Sequence, residues 1–184
     1  MSIFIGYNAP GQQQNREDSS VRWEENDRQQ CSVAQSSAVL GDRWSLLILS
    51  DLFLGVRRFD DFHKRLGMSR TTLTNRLKQL ENHGVVKRTA YQNQPVRHEY
   101  RLTAKGRDLF PVISALVTWG DKYYAQGHPP ILRKHLPCGH DIQPVLSCPE
   151  CHKDIDVRSM EARKRPDSAD LPPVERGPMA GLTN

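Results

Sequence analysis

The 184-residue sequence is poor in aromatic residues and in cysteine, and it has no long hydrophobic run. Its four cysteines are too few for a disulfide framework in a chain of this length. The longest apolar stretch, residues 44–54, is interrupted by Asp51 and is far too short to span a bilayer. Because no cationic segment followed by an apolar one opens the chain, we expect no secretory signal, no membrane partner and a cytoplasmic protein.

The motifs of common enzyme classes are also missing from the sequence. It has no Gly-rich phosphate loop, no nucleophile elbow and no patterned pair of carboxylates. We therefore predict a protein that is not an enzyme. With 37% hydrophobic residues, the chain can build the modest core of one domain with tails.

Positive charge is concentrated in the middle of the chain. Residues 57–105 contain twelve Lys and Arg against four Asp and Glu, although the net charge of the whole chain is only +5. Such a concentration is typical of proteins that neutralise phosphates. The alternative is a merely solvated basic surface.

Within this basic region, residues 67–84 predict a short turn followed by one amphipathic helix. Ser69 is a suitable N-cap, and Gly84 suits a left-handed C-terminal cap. The leucines at 73, 77 and 80 share one face, which should be buried. The opposite face has no acidic residue and carries Arg70, Thr71, Thr74, Asn75, Lys78 and Asn82. A face of this kind fits an anionic surface that offers hydrogen bonds.

Helical periodicity predicts three helices before this one, over residues 32–41, 43–54 and 58–66. Their expected inward-facing residues are Val33, Ser36, Ser37 and Leu40 in the first, Trp44, Leu47, Ile48 and Leu52 in the second, and Phe59, Phe62 and Leu66 in the third. Two strands follow, over residues 85–91 and 96–102, with Pro95 at the turn between them. The predicted fold class is mainly α with a small β-hairpin, in the order of a winged helix-turn-helix.

After the hairpin, Thr103 is predicted to cap one long helix that continues to about residue 125 and is kinked at Pro111. One side of this helix carries a wide apolar stripe, formed by Leu109, Val112, Ile113, Leu116, Trp119 and Tyr123. A domain this small has too little core to cover the stripe, so we predict a two-fold homodimer interface formed with the first helix. The alternative is that the stripe folds back onto its own core.

The C-terminal part of the chain contains three of the four cysteines. The spacing of its cysteines and histidines is typical of the two ligand pairs of a small zinc ribbon. The predicted zinc ligands of this extension are Cys138, His140, Cys148 and Cys151, with His135 or His152 as alternatives to His140. The other readings are a redox pair, Cys148 with Cys151, or a tail without a role. The predicted organisation is a disordered tail over residues 1–30, a domain over 31–128, the extension over 129–157 and a disordered tail over 158–184.

Several short motifs, in order, make residues 31–120 resemble the HxlR-type winged helix-turn-helix transcription regulators, which are similar in fold to the MarR regulators. The motifs are Cys31, the Gly-x-Arg-Trp of residues 41–44, residues 46–49, Arg58-Phe59, residues 73–77, Leu80-Glu81, residues 99–103, residues 105–106 and Trp119-Gly120. The resemblance implies a homodimer that binds a roughly palindromic operator in double-stranded DNA and needs no cofactor for it. The effector, the operator and the direction of regulation stay open.

In such a fold, the N-terminal half of the recognition helix lies in the major groove. The candidates there are Arg70, Thr71, Thr74, Asn75 and Lys78, with Ser69 mainly as the cap. Lys87, Arg88 and Arg97, with Arg101 as a further candidate, are expected to make phosphate or minor-groove contacts from the wing, which is the hairpin of residues 85–102. The alternative is a winged helix that serves only as a protein-interaction or dimerisation module.

Cys31 lies where the first helix is predicted to begin. A helix N-terminus stabilises a thiolate, and some regulators of this family sense electrophiles or oxidants through a cysteine at this position. The resemblance therefore implies a redox-sensing candidate. The alternative is an inert packing residue.

Overall fold

The computed structural model describes residues 31–161. In this part of the chain the elements are α1 (Ser32–Leu40), α2 (Arg43–Phe53), α3 (Phe59–Leu66), α4 (Arg70–Asn82), β1 (Val86–Asn93), β2 (Val96–Leu102), α5 (Ala104–Arg107), α6 (Phe110–Tyr124) and a 3-10 helix (Val157–Ser159). The predicted tail boundary after residue 157 falls inside the 3-10 helix. The tail predicted over residues 1–30, and residues 162–184 of the other, lie outside the described residues.

The core forms where α2, α3 and α4 meet the start of the hairpin. Its fully buried side chains are Ile48, Leu49, Leu52, Phe62, Leu73, Leu77, Leu80, Val85 and Val86. The leucine stripe predicted for α4 is therefore confirmed. In α2 the prediction for Leu47 was wrong, since 44% of that residue is exposed while Leu49 is buried. The buried face of α2 is formed by Ser45, Ile48, Leu49, Asp51 and Leu52, and it does not include Leu47.

The inward face predicted for α1 was wrong for three of its four residues. Val33 is 73% exposed, and Ser36 and Ser37 are exposed. Leu40 packs against the core as predicted, and Val39 joins it there. In the single chain, most of the surface of α1 thus faces outwards.

Two ion pairs join the helices around the core. The buried carboxylate of Asp51 in α2 accepts hydrogen bonds from Arg65 Nε (3.2 Å) and Nη2 (3.0 Å) in α3. These bonds and the charge of Asp51 raise the pKa of the Arg65 guanidinium above its ordinary value. Asp42 caps α2 by accepting from the backbone N–H of Trp44, and it also pairs with Arg76 of α4 at 3.1 Å. The helix α4 is therefore anchored to the N-terminus of α2.

The hairpin was predicted correctly, although β1 extends to Asn93. The strands are antiparallel, with Lys87 opposite Arg101 and Asn93 opposite Val96. The chain before α3 adds to the base of the hairpin, because Tyr100 N–H donates to Arg57 O at 2.8 Å. This contact fixes the wing relative to α3.

The single long helix predicted after Thr103 is two helices in the structure, α5 and α6. Pro111 lies in the first turn of α6. Because proline has no N–H to donate and favours the first helical positions, it starts a helix here where a kink was expected. Thr103 caps as predicted, but it caps the short α5, where its Oγ1 accepts from Gly106 N–H at 3.1 Å.

Gly106 of α5 lies against the backbone that enters the hairpin. A Cβ atom built on this glycine would be 2.1 Å from Val85 O and 3.0 Å from Leu102 Cδ2. The carbonyl of Val85 also accepts from the N–H of Thr103 at 3.0 Å, which holds it in place. Only a residue without a side chain fits at this position. No helix within residues 31–161 is long and apolar enough to cross a membrane.

Candidate nucleic-acid interface

The outer face of α4 is exposed along its length. Thr71, Thr74, Asn75 and Lys78 are all exposed, while Leu73 and Leu77 behind them are at most 1% exposed. Within the described residues, no hydrogen bond or ion pair engages the side chains of Thr71, Asn75 or Lys78. These three side chains are therefore available to an external surface.

Two other hydroxyls at this end of α4 are used by the helix itself. Ser69 Oγ accepts from Thr72 N–H at 3.1 Å, which confirms the predicted cap. Thr74 Oγ1 donates to Arg70 O at 2.8 Å. Thr74 can therefore offer an outside partner its methyl group and an oxygen lone pair, but not its proton.

Arg70 is directed towards α3. Its Nη2 is 3.0 Å from Asp60 Oδ1, and its guanidinium lies 5.0 Å from the centre of the Phe59 ring. The side chains of Arg70 and Asp60 are 63% and 80% exposed, so this pair is screened by water and contributes less than about 1 kcal/mol. An anionic partner can displace Asp60 at little cost.

Some of the basic side chains on the wing already have a hydrogen-bond or ion-pair partner, and others do not. Lys87, Arg88 and Arg97 are exposed, as predicted. Arg88 Nη2 lies 3.0 Å from His98 Nδ1, whereas no ion pair or hydrogen bond engages the side chains of Lys87 and Arg97 within residues 31–161. The wing therefore keeps at least two cations for an outside partner.

Sequence reasoning missed a cationic cavity at the base of the wing. It is lined by Leu52, Phe53, Arg57, Lys87, Arg101, Leu102, Arg107 and Phe110. Arg57 is already held, because its Nη1 donates to Leu52 O and Val56 O, and Arg101 pairs with Glu99 at 2.6 Å. The register that sets Lys87 opposite Arg101 explains this grouping, and it can be read only once the strands are paired.

Arg76 was counted with the basic residues of the region, but the structure gives it an internal role. Besides the pair with Asp42, its Nη1 donates to Gln79 Oε1 at 2.7 Å. An Asp directly before α2 is a recognisable N-cap in the sequence. The contact of Asp42 with Arg76, 34 positions further on, leaves no signal in the sequence around either residue.

An apolar surface lies on the side of the molecule formed by α1 and α6. Val112, Leu116, Trp119 and Tyr123 are 43–58% exposed, whereas Ile113 of the same stripe is 6% exposed. A cleft between the two helices is lined by Ser32, Val33, Ser36, Ser37, Leu40, Gly41, Leu46, Val112 and Leu116. Leu109 and Ile113 therefore pack against the core of their own chain, while the rest of the stripe stays exposed.

Cys31 occupies the N-cap position of α1, as predicted, and it is half-buried. Its backbone carbonyl accepts from Gln35 N–H at 3.0 Å. All four cysteines are within the described part of the chain, and none is joined to another by a disulfide.

The four predicted metal ligands lie in the C-terminal segment but not in one cage. Among residues 31–161, no three His, Cys, Asp or Glu side chains are grouped so that they could hold a metal ion. The neighbour of Cys138 is His135, whose Nδ1 is 3.2 Å from Cys138 Sγ. Hydrogen bonds from the backbone N–H groups of Cys151 and Glu150 lower the pKa of the Cys148 thiol.

Two short helices joined by a glycine turn, followed by a basic hairpin, define the winged helix-turn-helix class of DNA-binding transcription regulators. Residues 39–128 match the family described as HxlR-like helix-turn-helix. The chain is 43% identical over 136 residues to an uncharacterized HTH-type transcriptional regulator of Mycobacterium bovis, over 73% of this chain and 86% of that protein. The chain belongs to the HxlR-like helix-turn-helix family of transcription regulators, which are not enzymes.

Solved structures support the same assignment. This chain is similar to the crystal structure of PA1607, which is described as a candidate transcription factor. The two match with a TM-score of 0.67 and 30% sequence identity, over 76% of this chain and 98% of PA1607. A candidate transcription factor of Pseudomonas aeruginosa, PA1374, has a TM-score of 0.53 and 30% identity over 76% of this chain and 96% of that one. In both cases the similarity extends beyond the residues that the family match covers.

Proposed function

We propose that the protein is a homodimer that binds a roughly palindromic DNA operator in a sequence-specific manner. The observation that carries the proposal is the exposed face of α4, where Thr71, Asn75 and Lys78 have no partner in the described structure. Asn can pair with adenine through two hydrogen bonds, Lys can reach guanine, and a threonine methyl can contact the methyl group of thymine. Lys87 and Arg97 of the wing supply charge for the phosphate backbone.

The homodimer is supported by the apolar surface of α1 and α6. Leu116, Trp119 and Tyr123 of α6 lie within two turns and are about half exposed in the single chain. Exposure of such neighbouring large apolar side chains marks an interface. In a two-fold dimer the two copies of α4 are related by the same axis, so each meets a half-site of opposite orientation.

Selection from random duplex DNA at a fixed salt concentration tests this function. We expect recovery of two inverted half-sites whose centres are about 10 bp, or a multiple of that, apart. A selected pool with no preference over competitor DNA would favour the alternative, a winged helix that serves as a protein-interaction module.

The Leu116→Glu variant separates dimerisation from reading in the same assay. Because Leu116 is exposed in the single chain, the variant should fold, sediment as a monomer and prefer single half-sites over paired ones. Val96→Glu is the matched control, since Val96 is 61% exposed but lies at the tip of the hairpin, and it should sediment as a dimer. A Leu116→Glu protein that remains dimeric would contradict the assigned interface.

We propose further that operator binding responds to oxidants or electrophiles through Cys31. Cys31 is the N-cap residue of α1, a position at which the helix dipole favours a thiolate, and α1 borders the apolar cleft. Mild oxidant or a quinone should weaken operator binding by at least about fivefold, and Cys31→Ser should abolish this response. Cys151→Ser, which changes an exposed cysteine of the C-terminal segment, should keep it. An identical response in wild-type and Cys31→Ser protein would exclude the mechanism.

A further inference from the structure

The segment after α6 contains two copies of one backbone loop, offset by 13 residues. In the first loop (residues 133–142), His135 N–H donates to His140 O at 2.8 Å, and in the second loop (residues 146–155), Cys148 N–H donates to Lys153 O at 2.9 Å. Gly139 N–H then donates to His135 O at 2.7 Å, as His152 N–H does to Cys148 O at 2.9 Å. Each of these backbone hydrogen bonds in the first loop has its counterpart 13 positions further on.

The outer ends of the loops repeat in the same way. Ile142 N–H donates to Arg133 O at 2.9 Å, and Ile155 N–H donates to Leu146 O at 2.8 Å. The bridge between Lys134 and Asp141 is matched by the bridge between Ser147 and Asp154. The left-handed residue also repeats, at Gly139 (φ +72°) and at His152 (φ +57°). Each left-handed residue directly follows a cysteine.

This correspondence decides which side chains are equivalent. Cys138 in the first loop matches Cys151 in the second, and His135 matches Cys148. His140 matches Lys153, which is not a metal ligand at neutral pH. The second loop has the Cys-x-x-Cys spacing of a zinc-binding loop, so the first is a His-x-x-Cys loop of the same form.

The segment is short of any other source of stability. In residues 129–161, all of which the structure describes, no side chain is buried, and Leu132, Leu136, Val145 and Leu146 are 65–85% exposed. Segments this small normally depend on disulfides, metal ions or association for a defined fold. Arg133, 3.6 Å from Asp121 of α6, joins the segment to the helical domain, but it does not link the loops to each other.

We propose that His135, Cys138, Cys148 and Cys151 bind one Zn²⁺ ion, which holds the two loops together. In the described structure each loop presents its own pair of ligands, and no three of the four side chains are grouped as a metal site, so the site forms only when the metal draws the two pairs together. Three thiolates and one imidazole suit tetrahedral zinc, and the four protein ligands make the site structural. The three thiols release their protons when the metal binds. His140 takes no part, in contrast to the ligand set read from the spacing of the cysteines.

Native mass spectrometry of the full-length, reduced protein, loaded with Zn²⁺ and freed of excess metal, tests the site. We expect one Zn²⁺ per chain in the wild type and in His140→Ala. Removal of a group that only hydrogen-bonds to a metal ligand weakens metal binding about 10- to 100-fold. Because His135→Ala removes a direct ligand, it should weaken Zn²⁺ binding by more than that. Co²⁺ in place of Zn²⁺ should give the absorption of a tetrahedral site with three thiolates, and His135→Ala should change it.

Two results would overturn the proposal. The first is the absence of bound metal in the reduced wild type, including the case in which Cys148 and Cys151 form a disulfide once reductant is removed. The second is retention of metal in His135→Ala together with its loss in His140→Ala. Because the readout is metal content, it does not depend on operator binding and is independent of the proposed function.

Discussion

Replacement of Asn75 by alanine is expected to abolish discrimination at one or two base pairs of each half-site. Asn75 is exposed on α4, and no other side chain in the described structure engages it. A bidentate contact from Asn to adenine contributes about 1–3 kcal/mol of discrimination, so the preference at that position should fall roughly 10- to 100-fold. Parallel selections on random duplex DNA with wild-type and variant protein measure the change position by position.

Arg97→Ala is the matched control for this experiment. Arg97 is exposed on the wing, and its expected partner is a phosphate, which is the same for every sequence. The variant should therefore lose affinity about equally for all duplexes, and the slope of log K against log salt should decrease by about one. If Asn75→Ala instead gave the uniform loss, Asn75 would contact the backbone and not a base edge.

Gly106→Ala is expected to destabilise the domain by about 2–4 kcal/mol, although alanine is the better helix former. The added Cβ would lie 2.1 Å from Val85 O, a carbonyl that already accepts from Thr103 N–H. Because Val85 O is a backbone atom and the added Cβ is fixed to α5, neither can give way by a side-chain rotation, so α5 must move away from the base of the hairpin. Thermal and urea unfolding followed by circular dichroism measure the loss, and DNA binding should weaken in the fraction that remains folded.

Ala104→Gly, in the same helical turn, provides the opposite substitution. Ala104 is exposed, so this change should cost at most about 1 kcal/mol through helix propensity. Propensity alone would thus rank Gly106→Ala as the more stable variant, whereas the close approach reverses the order. A Gly106→Ala protein as stable as the wild type would show that α5 is not held against Val85.

The parts of the site that sequence reasoning found are those with local signals. Ser69 as cap, Gly84 as left-handed terminator and the leucines of α4 depend on residues within one helix and its ends. The exposure of Asn75 and Lys78 follows from the same periodicity. The helices and the hairpin around it followed from periodicity and turn residues, and the family motifs agree with that order.

The parts that sequence reasoning missed depend on contacts between distant elements. The pair of Asp51 with Arg65 requires α2 and α3 to be packed, and the cationic cavity requires the strands to be paired. The break between α5 and α6 was missed because an apolar stripe at helical spacing outweighed Pro111 as a start signal. The correspondence of His135 with Cys148 was missed because cysteine spacing alone does not show that the two loops repeat.

The contacts of the Asp42 carboxylate provide a route by which a movement of α1 could reach α4. It caps α2, directly after the turn from α1, and it also contacts Arg76 in the middle of α4. A shift of α1 that rotates the beginning of α2 would therefore act on α4 through the pair of Asp42 with Arg76. One side chain thus links α4 to the turn that follows α1, the helix whose N-cap is Cys31.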